Sequence, residues 1–135
     1  MFLLDTNVIS AARRPDRSQK LATWLYAQPE DTLFLSVISL GEIARSIALQ
    51  RNKNPAFAAD LSDWVSRTET LFRDRILPFG EQDTRIWGQL SAKIGHPGAD
   101  LMIAATALRH NATVVTGNTS DFEPTDVALF DPFLS

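Results

Sequence analysis

Met1-Phe2-Leu3-Leu4-Asp5-Thr6-Asn7-Val8-Ile9-Ser10 opens the chain, and the fold turns on how this stretch divides. Phe2–Leu4 is a short apolar run cut off by the polar triplet Asp5-Thr6-Asn7. Comparable runs recur at Leu33–Leu35, Ile76–Leu77, Thr113–Val115 and Val127–Leu129. Each is bounded by polar or turn residues and mostly lacks in/out alternation, the pattern of strands covered on both faces.

Between these runs the apolar residues follow a helical period. Leu21, Trp24 and Leu25 form a small stripe, and Leu40, Ile43, Ala44, Ile47 and Ala48 a second. Asn54-Pro55 reads as a helix start, with Asn as cap and Pro in the first position. Phe57, Leu61, Trp64, Val65, Leu71 and Phe72 mark one face of the helix that follows. Trp87, Leu90 and Ile94 mark another, which Gly95 ends. Asp100 to His110 is apolar nearly all round, as a buried helix is. Strands alternating with helices predict an α/β fold, with a mainly parallel sheet of about five strands between helical layers.

The chain has 135 residues, 44% apolar and 21% charged. That length and balance predict a single soluble domain over residues 1–135. With no Cys, a disulfide scaffold, a thiolate nucleophile and a cysteine-based metal site are all excluded. The longest nearly apolar run, Leu101–Leu108, falls far short of the ~20 residues that span a bilayer. Asp5 interrupts the N-terminal apolar stretch and Arg13-Arg14 follow it, the wrong order for a signal peptide. A cytoplasmic location is the simplest expectation. Net charge is −3, with +2 over residues 1–53 and −5 over residues 54–135. A protein binding nucleic acid through a broad basic face would be charged differently. Cations held by clustered acids, with a local basic loop nearby, fit this distribution.

In parallel α/β sheets, sites gather beyond the carboxyl ends of the strands, and four acids fall there. Asp5 follows the first strand, either aimed into the crevice or capping the next helix. Glu42, in Ser39-Leu40-Gly41-Glu42-Ile43, lies near the start of the helix after the second strand, where a dipole-favoured surface role is the alternative. Asp100 opens the most apolar helix after the loop Gly95-His96-Pro97-Gly98, and capping is again the alternative. Asp121 follows the fourth strand in Thr116-Gly117-Asn118-Thr119-Ser120-Asp121-Phe122, where an Asx turn competes. Together the four converge on one crevice. Two carboxylates ~4 Å apart repel by roughly 4 kcal/mol at an effective dielectric of 20, so such a cluster needs a cation or must protonate. An all-oxygen donor set favours Mg²⁺ or Mn²⁺, and the chemistry suggested is metal-assisted phosphodiester hydrolysis.

These four segments, with Ala99-Asp100-Leu101-Met102-Ile103-Ala104-Ala105-Thr106-Ala107 and Val114-Val115-Thr116-Gly117-Asn118 at their centre, resemble the PIN domain, and within it the VapC and FitB type of toxin ribonuclease. The resemblance covers essentially the whole chain. It implies a three-layer α/β/α fold, an Mg²⁺- or Mn²⁺-dependent endoribonuclease acting on RNA, and the toxin role in a type II toxin–antitoxin pair. Asp5, Glu42 and Asp100 match the family's best-defined acids as catalytic and metal-binding residues. Many relatives carry an acid where this chain has Asn118, so Asp121 would supply the fourth charge. Thr6, Asn7 and Thr116 take supporting or water-positioning roles. The resemblance also implies an antitoxin with an amphipathic C-terminal segment, for which the stripes of the helices at 37–52 and 55–72 offer a groove and a homodimer surface.

Arg13, Arg14, Arg17 and Lys20 form a basic loop that is either solvated or steers RNA phosphate, with Arg13 and Arg14 as substrate contacts. His96 could approach the crevice, whereas His110 reads as a helix-dipole partner. Trp24, Trp64 and Trp87 read as core or interface anchors. Three alternatives remain: a PIN scaffold that binds RNA without cutting it, a Mg²⁺-binding phosphoacceptor domain and an aspartyl phosphatase. The phosphoacceptor lacks its paired acids and its late Lys, and the phosphatase would need Asp where Asn7 stands.

Overall fold

A computed structural model of the protein describes residues 1–134. Five strands, β1 (Phe2–Leu4), β2 (Leu33–Ser36), β3 (Ile76–Leu77), β4 (Thr113–Val115) and β5 (Ala128–Phe130), form one sheet in the order β3-β2-β1-β4-β5. Every pairing is parallel. The helices are α1 (Thr6–Ala12), α2 (Gln19–Ala27), α3 (Val37–Gln50), α4 (Pro55–Leu71), α5 (Glu81–Ile94), α6 (Ala99–His110) and the single turn α7 (Thr119–Phe122). The expected α/β/α layering is the one observed.

The central strands explain why no alternation shows in the sequence. Leu4 and Val115 pack into one core with Val8, Ile43, Ile47, Leu61 and Val65 from α1, α3 and α4. Their neighbours Leu3 and Val114 point the other way, into a second core with Ile103, Ala104 and Ala107 of α6. Both faces of β1 and β4 are therefore buried, and truncating Leu3 to Ala would cost about 2–5 kcal/mol. Small residues along α6 let that helix lie close to the sheet, as its near-continuous burial shows.

Local chemistry sets the element ends. Asn54 Oδ1 accepts from the Phe57 N–H at 3.1 Å, with Pro55 in the first turn of α4. Gly95 closes α5 at φ 102°, a left-handed conformation that favours glycine. The last strand starts one residue later than expected, because Asp126 adopts a left-handed φ of 61° and Val127 instead donates to Thr125 Oγ1. Trp24 stacks on Phe130 and meets Phe2 edge-on, an anchor between α2 and the sheet.

His110 departs from its expected role as a charged dipole partner. Burial and the neighbouring Arg109 lower its pKa against the pull of Asp83, and its Nε2 is buried without a hydrogen-bond partner. The charged group at this end of α6 is Arg109, whose Nε donates to Asp83 Oδ1 at 2.7 Å and pins α6 to α5. Among the described residues no helix is long and apolar enough to cross a membrane.

The topology places the site. From β1 the chain steps outward to β2 and β3, then returns across the sheet to start β4 on the other side of β1. The sheet order reverses between β1 and β4, so a crevice opens beyond their carboxyl ends.

Candidate active site

Asp5 stands where β1 gives way to α1. Its N–H donates to the Val115 carbonyl at 2.9 Å, tying it to the end of β4. Its extended backbone makes it the N-cap of α1, and Oδ1 accepts from the Thr6 N–H at 2.8 Å. Oδ2 accepts from Thr116 Oγ1, also at 2.8 Å. The capping and crevice alternatives therefore describe one side chain. Asp5 is 8% exposed. Burial pushes its pKa above the usual carboxylate value, the bonds from Thr116 and Thr6 pull it down, and the charges of Glu42 and Asp100 push it up again.

Glu42 reaches the same place from α3. Ser36 caps that helix through the Ile38 N–H, so α3 starts directly at the end of β2 and Glu42 is its sixth residue. This lies beyond the first turn, where the helix dipole would have accounted for it. Thr6 Oγ1 donates to Glu42 Oε1 at 2.6 Å and lies 2.8 Å from the oxygen of the fully buried Ser39. Thr6 thus joins the end of β1 to α3.

Asp100 is the second residue of α6, and its Oδ1 accepts from the Leu101 N–H at 3.1 Å. A Cβ on Gly98 would fall 2.7 Å from that oxygen and 3.0 Å from His96 Nδ1, so the glycine makes room for the carboxylate. His96 accepts from the Gly98 N–H at 3.2 Å and is itself exposed. On the fourth side, Thr116 Oγ1 accepts from the Asn118 N–H at 2.9 Å, and Asp121 N–H donates to the Asn118 carbonyl at 3.1 Å. Both Asn118 and Asp121 are exposed.

Asp5, Glu42, Asp100 and Asp121 line one open cavity of about 360 Å³, together with Thr6, Asn7 and Asn118. Thr116 lies beneath it, fully buried, and acts on the cavity only through its bonds to Asp5 and Asn118. Among the described residues no three acids are drawn into a closed ligand cluster; they share walls rather than a point. Two observations fit a hard divalent cation. The donors are all oxygens, and Asn7 Oδ1 is buried in the lining with no hydrogen-bond partner. Asp5, Glu42, Asp100 and Asp121 are the carboxylates available to such an ion, with Asn7 and Asn118 as neutral oxygen donors.

The basic loop divides. Arg13 lines a neighbouring cavity that shares Thr6 and Glu42 with the acidic one, whereas Arg14 Nε lies 3.9 Å from Asp16 in an exposed pair. Sequence reasoning missed Ser39, whose signal was its position three residues before Glu42 on one helical face. It also missed Arg45 and Phe57, which line the neighbouring cavity from α3 and α4.

Residues 2–127 match the PIN domain family. The chain is 36% identical to Toxin FitB of Neisseria gonorrhoeae over 98% of this chain and 99% of that protein. It is 31% identical to VapC ribonuclease Y4jK of Sinorhizobium fredii, over 98% of each. Among solved structures, FitAcB from Neisseria gonorrhoeae superposes with a TM-score of 0.84 at 36% identity, covering 98% of both chains.

Proposed function

The chain belongs to the PIN-domain family, in the group of the FitB and VapC toxins, and from that premise we propose that it is a Mg²⁺- or Mn²⁺-dependent endoribonuclease. We assign it the toxin role of a type II toxin–antitoxin pair. It acts as one unit over residues 1–135 in the cytoplasm, on RNA, and is held in check by an antitoxin with an amphipathic C-terminal segment. A homodimer is its expected assembly. The single observation that carries this reading is the shared cavity of Asp5, Glu42, Asp100 and Asp121, supported by relatives named as toxin and ribonuclease.

Asp5, Asp100 and Glu42 would hold the divalent ion, and Asp121 adds charge on the facing wall. The ion would acidify the attacking water and offset charge on the phosphoryl oxygens. The remaining work falls to the chain. Thr116 and the Thr6 N–H keep Asp5 ionised against its burial. Thr6 occupies Glu42 Oε1, leaving Oε2 to accept a proton from water. Ser39 fixes the Thr6 hydroxyl from behind. This arrangement uses no His and no RNA 2′-hydroxyl.

The test is cleavage of defined single-stranded RNAs by wild type and Asp5→Asn, with Mg²⁺, with Mn²⁺ and with chelator. Metal-dependent cleavage by wild type alone is the expected result, and equal activity in both proteins would remove Asp5 from the reaction. The uncharged Asn118 on the cavity wall favours a second reading, a PIN unit that binds RNA without cutting it. Metal-independent binding with no cleavage in any arm would establish that reading instead.

A further inference from the structure

The second cavity, of about 430 Å³, opens beside the acidic one and shares Thr6 and Glu42 with it. Its size lies within the roughly 300–1,000 Å³ typical of ligand pockets. Its chemistry is the reverse of its neighbour's. Arg13, just after α1, and Arg45 of α3 bring two cations, and Glu42 is the only acid in the lining. Neither arginine makes an ion pair among the described residues, unlike Arg14, Arg75, Arg85 and Arg109. Asp60 and Asp63, the acids nearest along α4, line a separate depression with Arg67 on the other side of Arg13. The Arg13 guanidinium carbon sits 5.1 Å from the centroid of the half-buried Phe57 ring, a cation–π contact. Ser46 and Gln50 add hydrogen-bonding groups.

Unpaired guanidinium groups, an aromatic ring and small polar side chains are the materials with which proteins hold single-stranded nucleic acid. Arg45 is exposed, so packing does not account for it. Because the two cavities meet at Thr6 and Glu42, a polyanion leaving one enters the other.

We propose that this cavity seats one nucleotide of a single-stranded RNA beside the phosphate presented to the acids. The Arg13–Phe57 pair is the stacking surface for its base, and Arg45 is the contact for its phosphate. This rests on the nuclease reading and adds to it the residues that choose where the strand lies.

The experiment measures binding of fluorescein-labelled hexaribonucleotides to the full chain by anisotropy, in chelator so that nothing is cut. An abasic site is moved along the oligonucleotide one position at a time. Melting curves and circular dichroism check that each variant folds. Phe57→Ala should bind about tenfold more weakly, with Phe57→Tyr close to wild type. One abasic position should weaken wild type similarly yet cost Phe57→Ala little, because both changes remove the same stacking contact. Arg45→Ala should lower the slope of log affinity against log salt by about 0.7, the share of one single-strand phosphate contact. If folded variants bind every oligonucleotide as wild type does, while wild type still cleaves RNA with Mg²⁺, the subsite falls and the nuclease reading stands. If wild type neither binds nor cleaves, both fall. Variants that keep RNA binding but lose a partner antitoxin would assign the cavity to a protein and overturn the proposal.

Discussion

Thr116 Oγ1 donates to Asp5 Oδ2 at 2.8 Å, a bond between residues 111 positions apart that joins the ends of the two central strands. Burial pushes the Asp5 carboxyl toward its protonated form, and this hydroxyl is the largest influence pulling it back. Thr116→Val keeps the shape but leaves buried Oδ2 without its donor and the Asn118 N–H without its acceptor. The pKa of Asp5 then rises further. The acidic limb of the pH–rate profile should move to higher pH, with activity near pH 7 down about tenfold for a loss of ~1–2 kcal/mol. Thr116→Ser, which restores the donor, should restore the limb. An unmoved limb in Thr116→Val would separate Thr116 from the charge state of Asp5.

The same carboxyl links metal binding to stability. Its folded pKa lies above the ordinary value of 3.8, so between the two values the folded chain holds more protons than the unfolded one. The Asp5 contribution to stability therefore falls as pH rises through that window, and the loss persists at neutral pH in the metal-free protein. Asp5→Asn should remove this slope and raise the chelator-treated melting temperature by a few degrees at pH 7. Mn²⁺ should stabilise wild type by binding its folded form and stabilise Asp5→Asn far less. Melting curves from pH 4 to 8, with chelator and with Mn²⁺, read both effects. A variant that melts below wild type in chelator, or gains as much from Mn²⁺, would contradict the assignment.

Gly98 separates function from folding. Its φ of −59° and ψ of 160° suit any residue, so Gly98→Ala carries no backbone strain. The added Cβ would nonetheless meet Asp100 Oδ1 at 2.7 Å and force that carboxylate to turn. Stability should change by less than about 1 kcal/mol, while activity falls at least tenfold, because misplacing a positioning group by ~1 Å costs about a hundredfold in other enzymes. Melting curves and cleavage rates on the same preparations check the contrast. Full activity would mean that the Asp100 position in this structure does not matter to the reaction.

The parts of the fold that follow from local rules were readable in the sequence. Leu3-Leu4 and Val114-Val115 announce two-sided strands because each pair sends one side chain to each core. Asn54 and Gly95 mark helix ends because their backbone requirements are local. The four acids were legible because a parallel sheet gathers whatever follows its strands. Strand order was not, since every crossover here is compatible with several. Ser39 carries no charge and no period that separates it from an ordinary buried serine, so its contact with Thr6 emerged only once β1 met α3. Arg45 and Phe57 sit on different helices, and the cavity they share depends on how α3 packs against α4. His110 misled for a related reason, because its neutral bias comes from burial against α5 rather than from its place at a helix end.

Asn118 and Asp121 offer the sharpest test of whether charge or position matters on the fourth wall. Both line the acidic cavity, and both are exposed. If the wall contributes only charge, Asp121→Asn should weaken Mn²⁺ binding and Asn118→Asp should strengthen it. Each change should be roughly three- to tenfold, since solvent screening reduces the interaction of an exposed carboxylate to about 1 kcal/mol. The exchange Asn118→Asp/Asp121→Asn would then bind as wild type does. If position matters, the exchanged protein will differ from wild type although its charge is the same, because Asn118 is held by its N–H bond to Thr116, whereas Asp121 stands on the short α7. Calorimetric Mn²⁺ titration of the four proteins decides between these outcomes. Four equal affinities would remove this wall from the metal site and leave Asp5, Glu42 and Asp100 to carry it.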